Sequence, residues 1–204
     1  MERNIAYMQK TTTDEKRDDV VFKMPPDEEP EVIPSPDSKK YGDVIFKRAV
    51  SFEKGDGLPK DLKKAVELFK VAASAGSPNA MARLGACYKN GFGVQQDIEK
   101  AIELFKRSSD LGNSAATSHL ALLYQTGVGF PQNKEKAIEL FQCASEKGEP
   151  FAMYKLGVCY QTGDSVVQDT QKAIEYFRMA SSMGNTKAKE MLDSLESQDK
   201  PDEQ

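Results

Sequence analysis

The chain has little of what most chemistry requires. Its 204 residues contain one histidine and three cysteines. An odd number of cysteines with no CxxC spacing argues against a disulfide framework and fits a reduced cytoplasmic or nuclear setting, in which all three are thiols. No run approaches the length of a membrane-spanning helix. The opening "MERNIAYMQKTTTDEKRDD" has no apolar stretch of signal-peptide length, so no targeting segment is expected. The phosphate-binding patterns GxxxxGK and GxGxxG are also missing. "GFG" and "GVG" do occur, but between helical segments, whereas those motifs follow a strand.

What the chain does have is repetition. "EKAIELF" stands at Glu99 to Phe105 and again at Glu135 to Phe141, 36 positions on. A catalytic motif is needed once per domain, whereas a stacking unit must recur at a fixed period. The same step joins Lys64-Ala65, Lys100-Ala101, Lys136-Ala137 and Lys172-Ala173. It also joins four phenylalanines (Phe69, Phe105, Phe141, Phe177), an aromatic slot (Phe52, Tyr88, Tyr124, Tyr160) and a small-residue slot (Ala49, Gly85, Ala121, Gly157).

Within a unit, Ala80, Leu84 and Tyr88 at i, i+4 and i+8 form one stripe of a first helix, A. A glycine-bearing loop breaks it. Asp61, Asp97, Asn133 and Asp169 then stand where a second helix, B, needs acceptors for its free N–H groups. Helix B is expected to bury Ala101, Phe105 and Ser108 and to stop at Gly112 in a left-handed conformation. A lone hairpin of this length buries too little to offset its ordering entropy, so stacked copies must share seams. The predicted fold is all-α: an α/α solenoid of four 36-residue hairpins (44–79, 80–115, 116–151, 152–187) within an array at 41–195, ending in a capping helix over 188–195. Ser165 replaces the second loop glycine of the fourth unit, which predicts a different path for that loop. Arg48 replaces the leucine of the other units, as suits a terminal helix with no preceding neighbour.

Units such as "ARLGACYKNGFGVQQDIEKAIELFKRSSDLGNSAA" resemble Sel-1-like repeats, relatives of the tetratricopeptide repeat with a longer A–B loop. The resemblance implies a superhelix that acts as a non-catalytic interaction scaffold, with helix A lining a concave groove. By that analogy one basic row, Lys47, Arg83, His119 and Lys155, points into the groove. Phe46, Ala82, Ser118 and Tyr154 flank it, with Leu122 beyond. A further row holds Glu53, Lys89, Gln125 and Gln161. Such a groove suits a partner protein, or an acidic or phosphorylated peptide, bound by a monomeric adaptor. The alternative is a regulatory subunit that controls an enzyme such as a kinase or ubiquitin ligase. Nucleic acid is not expected, because the array carries a net charge of only +2.

No cofactor, metal or catalytic role is assigned. His119 lacks companions at ligand spacing. Cys87 and Cys159 share a slot with Leu123 and read as core fillers, and Cys143, aligned with Val71, Arg107 and Met179, reads as half-buried. The segments at 1–40 and 196–204 are acidic, net −3 each, and are expected to be disordered. Ser35-Pro36 is a candidate phosphorylation site. The acidic leader, tethered near a basic groove, is expected to compete weakly for it.

Overall fold

The structure is a computed structural model and is described here for residues 36–198. Among the described residues there are nine helices and no strand. They are α1 (Pro36–Lys54), α2 (Leu62–Ser74), α3 (Pro78–Asn90), α4 (Ile98–Asp110), α5 (Ser114–Thr126), α6 (Lys134–Glu146), α7 (Pro150–Thr162), α8 (Thr170–Ser182) and α9 (Thr186–Gln198). Odd-numbered helices α1 to α7 are the A helices and even-numbered ones the B helices. Each A helix packs along the B helix of its own repeat, and each B helix packs against the A helix that follows.

Both ends of the array extend past their sequence-based limits. α1 begins at Pro36, inside the segment read as a leader to residue 40, since proline's fixed φ and missing N–H suit a first helical turn. α9 begins at Thr186 because Asn185 caps it, Oδ1 accepting from Ala188 N at 3.0 Å. It continues to Gln198, into the segment read as a tail from 196.

The helices start and stop for repeated reasons. Asp61, Asp97, Asn133 and Asp169 each accept from the backbone N–H three residues on, at 2.8–3.0 Å. Gly76, Gly112, Gly148 and Gly184 follow the B helices with φ between 79° and 88°, conformations only glycine adopts without strain. The core sits where A meets B. Phe69, Phe105, Phe141 and Phe177 are all fully buried. A Cβ built on Gly85 would come within 2.8 Å of Phe105, and one on Gly157 within 2.6 Å of Phe177, so in the second and fourth repeats the ring's position requires glycine, while Ala49 and Ala121 fill the slot in the other two.

The fourth A–B loop does not diverge at Ser165. Ser165 holds φ at 64°, next to 70°, 72° and 75° for Gly57, Gly93 and Gly129. The loop is closed by Asp169 N donating to Tyr160 O at 2.9 Å, the bond that joins Asp61 to Phe52, Asp97 to Tyr88 and Asn133 to Tyr124 in the other repeats. Lys134 Nζ reaches Asp164 Oδ1 at 2.8 Å and ties the same loop to the preceding repeat. These bonds fix the path, and serine takes the left-handed conformation it requires at an energetic cost. Ser165→Gly is therefore expected to raise the stability of the protein by about 1 kcal/mol, the strain of one left-handed non-glycine residue. Urea unfolding would show a higher midpoint at an unchanged m-value; an unmoved midpoint would mean that the loop is unstrained.

Candidate functional site

Two pairs of neighbouring A helices touch, α1 against α3 and α5 against α7, and no two B helices meet as extensively among the described residues. The A row therefore lies on the inner side of the bend. Successive A helices present equivalent side chains there, one per repeat, because each is held in the same rotation by the phenylalanine beside it.

Lys47 and Arg83 are exposed on this row, and Lys155 is half-buried. Arg83 Nη1 lies 3.7 Å from Glu53 Oε2, so the row-to-row pairing crosses from one repeat to the next. The ammonium of Lys155 sits 5.7 Å from the centre of the Phe151 ring. His119 behaves differently. Its imidazole stacks on Phe105 at 4.8 Å and faces Phe151 at 6.3 Å, with Nδ1 buried and unpartnered among the described residues. Burial first, then the positive charges of Lys89 and Arg83, push its pKa down to about 4. At neutral pH it is an uncharged aromatic rung, and the basic row has three cations instead of four.

Lys89 is half-buried, and burial lowers its pKa. Its ammonium has no ion-pair or hydrogen-bond partner among the described residues. Gln125 directs Nε2 only to Cys159 Sγ, at 3.7 Å, and Gln161 stands half-buried in the same row. Tyr154 leans on Phe177 at 6.1 Å and Leu122 packs against the core around Phe141 and Leu156, so both serve the core as well as the face. Ala82 and Ser118, expected as groove neighbours, are buried: one residue turns a helix by about 100°, enough to point them into the seams. Ser118 Oγ donates to Ser114 O at 3.1 Å.

Two recurrent contacts escaped the sequence reading. Gln96, Gln132 and Gln168 each donate Nε2 to the backbone carbonyl of Lys89, Gln125 and Gln161, at 2.7–2.9 Å, closing the open C-terminal turn of helix A. Lys64, Lys100 and Lys172 lie over the rings of Phe52, Tyr88 and Tyr160 at 4.2–5.6 Å. Both were visible as a glutamine and a lysine recurring at the 36-residue step. Ser35 and the part of the leader before Pro36 lie outside the described residues. Among the described residues no three His, Cys, Asp or Glu side chains converge as metal ligands, and no helix is long and apolar enough to cross a membrane.

The three thiols differ. Cys87 and Cys159 are buried, and burial raises both pKa values, that of Cys87 to about 11. Cys143 is exposed, not half-buried, because its slot on helix B faces outward. A maleimide is expected to label Cys143 rapidly in the native protein and the other two only on unfolding; rapid native labelling of Cys87 or Cys159 would remove them from the core. The neutral histidine gives a second prediction. An imidazole that protonates at about pH 4 when folded and near 6.5 when unfolded favours the unfolded state as pH falls between those values, by up to about 3 kcal/mol. His119→Phe should remove that share of the acid sensitivity, measured as the wild-type minus variant difference in stability from pH 7 to pH 4. An NMR titration placing the His119 pKa near 6.5 would refute the buried arrangement.

The Sel1 repeat family profile matches residues 44–77, 78–113, 114–149 and 150–185. These segments end at Ser77, Asn113, Glu149 and Asn185, the residues that precede α3, α5, α7 and α9. A Sel1 repeat protein from Oxalobacter formigenes is 30% identical with a TM-score of 0.66; the alignment covers 78% of this chain and 64% of that one. The chain thus spans less than two thirds of that protein's length. The protective antigen c5321 of uropathogenic Escherichia coli strains, which displays an SLR fold, is 24% identical with a TM-score of 0.59 over 74% of this chain and 32% of its own, a likeness of fold alone. No curated protein matches the chain. Four consecutive profile matches, on four hairpins that share one loop bond and one buried ring, place this chain in the Sel1 repeat family, whose members are generally scaffolds for protein–protein interaction and typically not catalytic.

Proposed function

We propose that this chain is a non-catalytic, monomeric adaptor of the cytoplasm or nucleus that binds an acidic or phosphorylated segment of a partner protein along the face of its A helices. The observation that carries the reading is the unpartnered ammonium of Lys89, half-buried beside the neutral ring of His119 and near Arg83. A cation held partly out of water without a counter-charge gains most from an anion that docks beside it, and one with several oxygens engages Lys89 and Arg83 together. Lys47 and Lys155 extend the positive row to either side. Leu122, Tyr154 and the Phe151–His119 pair supply apolar contact, and Gln125 and Gln161 supply amides for a peptide backbone. A partner is therefore bound by matching charge and shape along several repeats, with no bond made or broken.

The test is affinity purification of partners with the full chain, followed by binding of the recovered acidic segment to variants. The Arg83→Glu, Lys155→Glu double change should weaken binding at least about tenfold at low salt, because it turns attraction into repulsion at two rungs. For a segment carrying carboxylates only, affinity should stay level between pH 6 and pH 8, since His119 does not titrate there. Binding untouched by the double change would move the site away from the A-helix face.

A further inference from the structure

The two ends of the array are finished differently. At the C-terminal end, α9 lays Met191, Leu192 and Leu195 on the last core seam and turns Lys187, Lys189, Glu190 and Asp193 to solvent; none of its large apolar residues is exposed. That is a closed end. At the N-terminal end, α1 shows the face that every later A helix buries against the preceding B helix. Val44 is 59% exposed, whereas Ala80, Ala116, Ala152 and Ala188, one to four repeats on in the same slot, are fully buried. Arg48 is exposed where Leu84, Leu120 and Leu156 are buried. Leu58 is 36% exposed, while its equivalents Val94, Phe130 and Val166 pack against the repeat before them.

We propose that this open end is a second interaction surface, a stacking seam that receives an acidic amphipathic helix from a partner protein in the position of a preceding B helix. Shape argues for a helix, since Val44 and Leu58 occupy slots that elsewhere grip one. Charge argues for an acidic one. Lys40, Val44 and Arg48 form a single stripe at i, i+4 and i+8, Lys47 borders it, and none of the three cations has a carboxylate at ion-pair distance among the described residues. The incoming helix would set apolar residues on Val44 and Leu58 and a carboxylate against Arg48, where an internal B helix offers only apolar contact. A second copy fits poorly. Two such ends meeting face to face bring like charges together, and the C-terminal end offers no exposed apolar stripe to stack on. The surface adjoins the A-helix face only at Lys47, is otherwise separate from it, and does not depend on the partner proposed for that face.

The experiment uses the full chain and a labelled helical peptide of about 20 residues, with leucines at i, i+4 and i+7 flanked by glutamates, beside a copy carrying lysines in place of the glutamates. The glutamate peptide should bind, measured by fluorescence anisotropy, and the lysine copy should bind at least about tenfold more weakly. Val44→Asp and Arg48→Glu should each weaken the glutamate peptide about tenfold, with the thermal melt unchanged because both side chains are exposed, while Lys155→Glu should leave it within about twofold. Equal binding of the two peptides, indifference to Arg48→Glu, or no binding by the full chain would overturn the proposal. So would sedimentation showing a dimer that Val44→Asp dissolves, which would assign the seam to a second copy.

Discussion

Everything in this array depends on one contact, a phenylalanine ring of helix B pressed against a helix A residue with almost no side chain. Phe105 lies on Gly85 and Phe177 on Gly157 at distances that exclude even one added carbon without movement of the ring. The contact sets the separation and the rotation of the two helices together. Rotation then decides which residues of helix A turn inward to the seams and which are left on the inner face. In the other two repeats the slot holds Ala49 and Ala121, and since the ring is fully buried in all four, every A helix is set against a phenylalanine at an equivalent position. The row of inner-face residues is thus a by-product of core packing.

A solenoid separates the residues that fold it from those that could recognise something. Each repeat touches only its neighbours, and the shared bonds are the same from one to the next: the N-cap, the loop-closing backbone bond and the buried ring. The inner positions carry no such duty. One row reads Glu53, Lys89, Gln125, Gln161, passing through both charges to neutral amides at an identical backbone setting. Exchange at a partly exposed position with no core contact to lose usually costs little stability, so charge pattern varies while geometry stays fixed. His119 departs from this separation, because its ring is packed between Phe105 and Phe151 and it belongs to the core as much as to the face.

The fold was legible because its signal is translational: a 36-residue step that preserves cap, ring and glycine shows through any variation between the rows. Side-chain environment was less legible. The period assigned His119 to a basic row by position, but its protonation depends on the two rings that enclose it, and Phe151 has no aromatic equivalent at the same step. Ser165 misled because residue identity was read as conformation, whereas the loop is held by the Asp169 to Tyr160 bond and by Lys134, which impose the left-handed angle on whatever residue stands there. For Cys143 the signal was present: Arg107 in the same slot marks an outward position, and the apolar Val71 and Met179 obscured it.

The ends of a repeat array are where fold and recognition stop being separate. An internal seam is specified mainly by stacking: most of what it buries is apolar, with a few hydroxyl bonds such as Ser109 to Thr117. A terminal seam has no partner within the repeat pattern, and its residues report what is meant to meet it. At the last seam, α9 answers with an apolar underside and a polar exterior, and that seam is covered. At the first, a guanidinium replaces the leucine, yet Val44 and Leu58 keep their apolar character at the cost of exposure. A face made only to meet water would have changed all three slots. One cation set among retained apolar contacts is instead the composition of a seam with a charged specification, complementary to a helix that carries both an apolar stripe and an acid.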